Sequence, residues 1–192
     1  PGCRVFATAQ ELSDAAGLVF ITTPDSAIGR VAADVTWRPG QWVVHCSGAA
    51  STEVLRPASR HGAITGALHP LQTFAGLNEP EEAAARLSGV TFAVSGEGSL
   101  AGFLQEMASE LGGRHVSISD ADRPLYHAAA VLACPLLAAV MQAAVDIWQA
   151  MGFSAEQAVE SLYPLAKGTV ENVARQGVAA SLTGPTVRGD VA

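Results

Sequence analysis

The chain has 192 residues, of which 49% are hydrophobic and 15% charged, and its 18 acidic against 11 basic residues give a formal net charge of −7. This length and composition exclude a disordered tail or a mini-protein and predict one or two compact domains. The acidic balance argues against nucleic acid or an anionic membrane as the main partner, because no basic stripe is present to neutralise phosphates. Three cysteines without metal-site or disulfide-framework spacing indicate a reducing compartment, and hence a cytoplasmic protein.

The start of the chain is also informative. It opens at Pro1 with no initiator methionine, no basic n-region and no leader-type apolar run, so we expect no secretory signal there. We expect instead that an N-terminal segment precedes this residue.

The first 118 residues alternate short β-rich runs with amphipathic segments. The continuously apolar run Leu18–Ile21 is typical of a parallel strand covered by helices on both faces. The alternation predicts a doubly wound, mostly parallel α/β sheet with right-handed crossovers. Thr23 and Pro24 predict the N-cap and first position of a helix. The predicted strands are Arg4–Ala7, Leu18–Thr22, Trp42–Cys46, Ala63–Leu68, Val90–Ser95 and His115–Ile118.

From Ser119 onward the pattern is helical. Asp122 predicts the N-cap of a long, nearly uncharged helix that is kinked by Pro135 and closed by Gly152. Ser154 opens a capping box, and a second helix then runs to about residue 175 with a glycine at 177. We therefore predict two domains packed directly together, a sheet-bearing one over residues 1–119 and a helical one over residues 120–192.

The apolar stretch Ala128–Val145 could be mistaken for a membrane-spanning helix. Its only strongly polar residue is Gln142, but it is shorter than the ~20 residues that a span needs, is rich in alanine and contains Pro135. We interpret it as a buried helix of the helical domain or as a dimer interface, and expect no membrane partner.

Candidate site residues follow three successive strands. A doubly wound sheet binds ligands beyond the carboxyl ends of its strands. His69 is the strongest candidate, because the proline after it imposes extended geometry and its imidazole can act as a donor, acid or base near neutral pH. The alternative for His69 is a histidine that only bonds a nearby carbonyl. His45 lies inside an apolar strand and is interpreted as structural. The three strand ends read Thr22-Thr23-Pro24-Asp25, His45-Cys46-Ser47-Gly48 and Leu68-His69-Pro70-Leu71.

Helical spacing separates solvated from apolar positions in the second half. Lys167 and Glu171 form an i,i+4 pair on a charged, solvated arc. Asn172 falls on the apolar side, where a buried amide must find a partner in a ligand or in the backbone. His127 leads an apolar stripe, and either belongs to the core or points into a cleft.

The C-terminal loop and the missing motifs complete the search. Thr183 and Arg188 lie in a polar loop that could close over a site, and Arg188 is suited to bidentate recognition of a carboxylate. No G-x-G-x-x-G follows a strand, and Ser95-Gly-Glu-Gly is too short and lies late in the order. Walker loops, metal-ligand clusters and nucleophile elbows are missing, so we predict no metal and no covalent serine chemistry.

Several strings in this order resemble a known family over nearly the whole chain: the Rossmann-like proteins that carry a helical C-terminal domain of unknown function and are described as NADP-dependent oxidoreductases. The layout is similar to that of pyrroline-5-carboxylate reductase, ketopantoate reductase, prephenate dehydrogenase and the β-hydroxyacid dehydrogenases, with a helical domain of the 6-phosphogluconate dehydrogenase type. The strings are Leu18-Val-Phe-Ile-Thr-Thr-Pro-Asp25, Val44-His-Cys-Ser-Gly48, Leu68-His-Pro-Leu-Gln72, Tyr126-His-Ala-Ala-Ala130, Leu182-Thr-Gly-Pro185 and Arg188-Gly-Asp190.

The resemblance implies NADP as cofactor and a small carbonyl, imine or hydroxy acid as substrate in an interdomain cleft. It implies that a glycine-rich βαβ unit precedes residue 1 and that the helical domain continues beyond residue 192. From the apolar Ala128–Val145 helix we separately expect a homodimer through the helical domain. Thr23, Pro24, Ser47 and Gly48 would border the nicotinamide, while His69, His127 and Asn172 would face it. The alternative is a non-catalytic Rossmann-like protein that binds a ligand or partner, since fold alone does not imply chemistry.

Overall fold

A computed structural model of the chain describes residues 2–182 and 184. The chain divides into two compact units, Pro1–Val131 and Leu132–Ala192, which are called here the sheet unit and the helical unit.

The sheet unit is built on five strands in the order β1-β2-β3-β4-β5. Neighbouring strands are parallel except for β3 and β4, which are antiparallel. The mostly parallel α/β architecture is therefore confirmed, while the antiparallel pair departs from a sheet joined only by crossovers. The strands are β1 (Leu18–Ile21), β2 (Trp42–His45), β3 (Ile64–Pro70), β4 (Thr91–Gly96) and β5 (Arg114–Ser117).

Helices cover both faces of this sheet, as the continuously apolar strands predict. Val43 belongs to a buried cluster that includes Ile28 of α2, and Val44, on the opposite face, belongs to a second that includes Leu100 and Leu104 of α5. Adjacent residues of β2 thus enter separate cores because strand side chains alternate. The helices of the unit are α1 (Ala9–Ala15), α2 (Asp25–Asp34), a 3₁₀ turn (Thr52–Leu55) continuing into α3 (Arg56–Ser59), α4 (Pro80–Ala85) and α5 (Gly98–Glu110).

Two local predictions for the sheet unit are wrong. Arg4–Ala7 is not a strand, because this segment pairs with no strand of the sheet and a β-rich run without a partner does not form one. Helix α2 begins at Asp25 with Pro24 as its N-cap, one residue later than predicted. Pro24 has a ψ of 146°, so it is extended and lies outside the helix. Its carbonyl accepts a hydrogen bond from the backbone N–H of Ala27 in the first turn.

The helical region begins with α6 (Arg123–Ala133), which starts in the sheet unit, and continues with α7 (Pro135–Ala150), α8 (Ala155–Gln176) and α9 (Val178–Ser181). The predicted long helix is two helices, because Pro135 has no backbone N–H and the residue before it leaves the helical region. The capping box at Ser154 is present, and Gly152 and Gly177 follow their helices with positive φ.

Most apolar side chains of the helical unit are exposed. Within its described part the buried hydrophobic residues are Val145 and Ala158, whereas Val140, Ile147 and Leu165 are each 64–70% exposed. The interpretation of Ala128–Val145 as a helix buried within this chain is therefore wrong for the described residues, because no element among them covers it. Its role as a dimer interface stays a prediction.

The same stretch satisfies a membrane criterion by length and composition. Arg123–Ala150 spans 28 residues, its most apolar window has a mean hydropathy of 2.1, and 6% of that window is buried. A single helix of this kind is weak evidence for a membrane protein, since interface helices of other proteins pass the same test. Arg123 at its start is fully buried in the sheet unit, and the helix is interrupted at Cys134.

Candidate functional site

The candidate site lies where β2 and β3 end. Both strands run in the same direction and His45 is in register with Ala67, so the loop that follows β2 comes alongside the last residues of β3. His69 and Pro70 belong to β3 rather than following it, because they pair with Ala93 and Phe92 of β4. The predicted strand ends therefore meet at one edge of the sheet.

Gly48 lies against the His69 imidazole. A Cβ added to Gly48 would be 2.8 Å from Nε2, 2.9 Å from Cε1 and 3.1 Å from Cδ2 of His69. Nearly equal distances to three consecutive ring atoms place that carbon over the face of the ring and not in line with the Nε2 lone pair. Any side chain at position 48 would therefore displace the imidazole, which gives this glycine a packing role that sequence reasoning did not assign.

Tyr126 of α6 joins His69 from the other side. Its hydroxyl lies 2.7 Å from His69 Nδ1, and the two rings meet edge to face at 87° with centroids 5.6 Å apart. Sequence reasoning missed Tyr126 as a site residue, although it noted the string that begins with it. The feature of the sequence that could have identified Tyr126 as a site residue is its position in the first turn of a helix that starts beside the sheet.

Arg123 fixes that first turn to the sheet. The side chain is completely buried, and its guanidinium donates to the Ser47 carbonyl at 3.1 Å and to Ser95 Oγ at 2.8 Å. It also forms an ion pair with Asp120 at 3.5 Å. Asp120 in turn accepts from the backbone N–H and the hydroxyl of Thr52. One buried arginine thus joins the loop after β2, the end of β4 and the start of α6.

Ser47 organises the loop that carries Gly48. Its hydroxyl donates to Asp25 Oδ2 at 2.6 Å and accepts from the backbone N–H groups of Ala49 and Ala50. Ser47 is buried, so these bonds connect the β2 loop to the start of α2. The neighbouring Thr23 and Pro24 are exposed. Of the predicted cofactor-binding residues, Thr23 and Pro24 are therefore exposed, whereas the Ser47 side chain is occupied by internal hydrogen bonds.

Electrostatics favour the neutral forms of the histidine–tyrosine pair. Burial lowers the pKa of His69, the charges of Arg123 and His127 lower it further, and Asp25 opposes them. Burial raises the pKa of Tyr126, with Arg123 acting in the opposite direction. The phenol and the imidazole share one hydrogen bond, and the ring tautomer determines which of them donates.

His45 is a buried structural histidine, as predicted. Its Nδ1 accepts from the Ser47 backbone N–H at 3.2 Å. Burial, assisted by Arg123, lowers the pKa of His45 to about 4, against weaker opposing effects of the Ser51 backbone, Asp25 and Asp120. The side chain is therefore neutral at physiological pH and supports the loop rather than the chemistry.

The remaining predicted residues are dispersed. His127 is exposed, so its interpretation as a core histidine is wrong. Asn172 is half-buried in the helical unit, and its Oδ1 accepts from Arg175 at 2.7 Å, so its partner is a side chain of the same helix. Lys167 pairs with Glu171 at 3.8 Å on the solvated arc, as predicted. Thr183 and Arg188 lie outside the described residues.

One Gly-x-Gly turn does join a strand to a helix. Gly96, Gly98 and Ala101 connect β4 to α5, and β5 is parallel to β4, which is the setting of a dinucleotide fingerprint. The adjoining cavity of about 520 Å³ is lined, however, by the carboxylates of Glu97, Asp120 and Asp122. Three acidic groups oppose a pyrophosphate, so this turn does not fit the phosphates of a dinucleotide.

The described residues hold no group of three or more His, Cys, Asp or Glu side chains that would bind a metal ion.

Comparison with known proteins decides the family. A model described as a domain of unknown function, DUF2520, matches residues 90–192, which is more than half of the chain, and a Rossmann-like domain model matches residues 3–70. The chain belongs to the DUF2520 family. The expected resemblance is thus confirmed, and the DUF2520 match begins just before β4. No curated protein matches the chain.

Three solved structures share the fold of this DUF2520 protein. Protein TM1727 from Thermotoga maritima is 27% identical, with a TM-score of 0.75 over 90% of this chain and 65% of its own. A candidate NADP oxidoreductase, BF3122 from Bacteroides fragilis, is 22% identical, with a TM-score of 0.72 over 91% of this chain and 64% of its own. The 1-pyrroline-5-carboxylate reductase of Streptococcus pyogenes is 16% identical, with a TM-score of 0.67 over 95% and 70%. The chain thus spans about two thirds of these relatives.

Proposed function

We propose that the chain is an NADP-dependent oxidoreductase that moves hydride between a nicotinamide ring and a small carbonyl, imine or hydroxy-acid substrate. The observation that carries this proposal is the His69–Tyr126 pair against Gly48, in a loop whose Ser47 hydroxyl bonds Asp25 directly after the exposed Thr23 and Pro24. Two relatives with the same fold are named for nicotinamide or pyrroline chemistry, which supports the proposal.

Each residue has a distinct task in this proposal. When bound, the cofactor supplies the hydride, and Thr23, Pro24, Ser47 and Gly48 border its nicotinamide ring. His69 presents a hydrogen-bond donor to the substrate oxygen or nitrogen and handles the proton. The roles expected for His127, Asn172, Thr183 and Arg188 stay predictions.

NADPH binding and turnover test the function. We expect NADPH fluorescence to change on adding the chain, and NADPH to be consumed with at least one of three probes: 1-pyrroline-5-carboxylate, cyclohexanone or pyruvate. Gly48→Val is expected to abolish turnover, because the added side chain enters the space of the His69 ring. The exposed Gly102, whose added Cβ would meet nothing within 4 Å, provides the matched control Gly102→Ala.

The same assay discriminates the alternative function. Binding of NADPH without turnover of any probe favours a non-catalytic ligand-binding protein, and the absence of any NADPH binding contradicts both the cofactor and the reaction proposed here. The acidic lining of the cavity beside Gly96 and Gly98 is the observation that favours this alternative, because it leaves the pyrophosphate without a partner in the described residues.

We further propose a cytoplasmic homodimer that forms through the helical unit and binds neither nucleic acid nor membrane. Val140, Ile147 and Leu165 are exposed apolar side chains that a second copy would bury. Light scattering should give twice the chain mass, and Val140→Lys with Ile147→Lys should give a monomer. Association with phosphatidylcholine vesicles in a flotation assay would contradict this proposal.

A further inference from the structure

His69 and Tyr126 form a hydrogen-bonded pair whose orientation determines which proton is available. Within residues 2–182, Nδ1 of His69 is engaged by the Tyr126 hydroxyl at 2.7 Å, and the ring makes no other hydrogen bond to the chain. When the tyrosine donates, the imidazole hydrogen is on Nε2. Gly48 lies against the face of the ring, since a Cβ built on it would be 2.8–3.1 Å from Nε2, Cε1 and Cδ2.

A neutral imidazole is a poor acid on its own. Loss of the Nε2 proton would leave an imidazolide anion unless Nδ1 gains a proton in the same event. Tyr126 is the group placed to supply that proton, since its hydroxyl already points at Nδ1. The pair is therefore more competent as a donor than His69 alone.

We propose that Tyr126 is a further catalytic residue of this oxidoreductase and that it works with His69 as a two-step proton donor, with Arg123 as the positioning residue that holds the pair together. This inference rests on the function proposed above. It assigns to the neutral imidazole the role of conducting a proton from the phenol to the substrate.

The substrate carbon would gain a C–H bond whose two electrons a bound nicotinamide would supply as hydride, becoming oxidised, and the electron pair of the breaking C=O or C=N π bond would move to the heteroatom. That atom takes the Nε2 proton while Nδ1 takes the Tyr126 proton, leaving tyrosinate. Water later returns a proton to the phenolate. Burial raises the pKa of Tyr126 and opposes the transient phenolate, and the buried positive charge of Arg123, one helical turn before Tyr126, acts against this effect.

Arg123 also sets the geometry of the pair. Its bonds to the Ser47 carbonyl and to Ser95 Oγ fix the first turn of α6 against the sheet, and Tyr126 is three residues later on the same helix. The Ser47 bond fixes the loop that holds Gly48 against His69. One side chain therefore positions both partners of the pair.

Tyr126→Phe tests the proposal, because it removes the proton and keeps the ring. We expect turnover with NADPH and the active probe to fall at least 100-fold at pH 8, within the range typical of general acid catalysis. The loss should become smaller as the pH falls towards the lowered pKa of His69, since imidazolium then donates without help. A purely structural role would lower the rate equally across the pH range and would overturn the proposal. The exposed Tyr163→Phe is the matched control and should behave as the wild type.

The pH dependence of the pair reflects the groups that face His69. These are Tyr126, Arg123 and His127 from α6 and Asp25 from the start of α2. Without the tyrosine hydroxyl, Nδ1 loses its donor and the neutral ring loses the bond that fixes its tautomer. The pH profile of Tyr126→Phe therefore reports on His69 itself.

A nitrogen-15 spectrum of the histidine rings separates this inference from the proposed reaction. In the wild-type chain at pH 7.5 we expect His69 to be the Nε2–H tautomer, and in Tyr126→Phe a mixture of tautomers. The proposal is overturned by an Nδ1–H tautomer in the wild type, whether or not NADPH is turned over. The correct tautomer without any NADPH binding would instead leave the pair intact and contradict the proposed function.

Discussion

The sheet unit and the helical unit differ in how far their apolar side chains are buried and in how distant the partners of their side-chain hydrogen bonds are in sequence. In the sheet unit, apolar residues such as Leu104 are fully buried, and Arg123 connects segments far apart in sequence. In the helical unit, Leu165 is 70% exposed, and side-chain hydrogen bonds such as the one from Arg175 to Asn172 span one helical turn. This difference indicates that the sheet unit holds its site by its own tertiary contacts, whereas the helical unit has an apolar surface still to be covered.

Arg123→Met gives the largest predicted loss of stability and tests whether the site is held by tertiary contacts. The change should cost about 1–3 kcal/mol for each of two acceptors, because the Ser47 carbonyl and Ser95 Oγ lose the buried guanidinium as donor. Urea unfolding followed by tryptophan fluorescence measures the effect, since Trp37 is buried in the sheet unit. Arg30→Met, at an exposed position of α2, should stay within about 0.5 kcal/mol. Equal effects of the two substitutions would contradict the comparison.

Leu104→Ala and Leu165→Ala compare the two units with the same chemical change. Leu104 is 0% exposed, and its truncation should cost about 2–5 kcal/mol. Leu165 is 70% exposed, and its truncation should change the stability of the monomer by less than about 0.5 kcal/mol. A large loss at Leu165 that depends on protein concentration would sharpen the comparison, because it would place this residue in an interface between copies.

His45 makes the stability of the sheet unit depend on pH. Its pKa falls from 6.5 to about 4 on folding, so between these values the unfolded chain binds a proton that the folded chain does not. Stability is therefore lost as the pH falls from 6.5 to about 4, by roughly 3 kcal/mol in total. His45→Asn, which keeps an acceptor for the Ser47 N–H, should flatten this dependence in urea titrations. The exposed His61→Asn is the control, and an identical pH slope in both variants would refute the assignment.

The smallest predicted effects concern local contacts of the helical unit. Ser154→Ala removes the side-chain half of the capping box and should cost about 1 kcal/mol. Lys167→Ala breaks an exposed pair with Glu171 and should cost at most about 0.5 kcal/mol. Thermal unfolding followed by circular dichroism measures both. A larger loss for Lys167 than for Ser154 would show that the charged arc makes contacts beyond its own helix.

Much of the fold follows from local patterns in the sequence. The five strands of the sheet lie within two residues of their predicted ends, and the caps at Ser154, Gly152 and Gly177 are present, because apolar periodicity and capping chemistry are local. The strand predicted at Arg4–Ala7 is wrong because a strand needs a partner that no local pattern supplies. The predicted burial of α7 is wrong for a similar reason, since apolar composition predicts burial without specifying which element covers the helix.

The candidate site was predictable in part. His69 was found because the proline after it constrains the backbone, and Gly48 because it follows a strand. Tyr126 and Arg123 were missed as site residues, because their contacts with His69 and Ser47 join positions 57 and 76 residues apart. A charged residue in the first turn of a helix is ordinarily solvated, so its burial here depends on the tertiary fold.

Amide spectra of the labelled 192-residue chain titrated with NADPH test the central claim most directly. Chemical-shift changes detect even weak binding. The account predicts that these changes concentrate at Thr23, Gly48 and His69. A parallel titration with NADH compares the two cofactors. Gly48→Val should remove them and Gly102→Ala should preserve them. Shifts confined to the helical unit or to the cavity beside Gly96, or no shifts at all, would contradict the account.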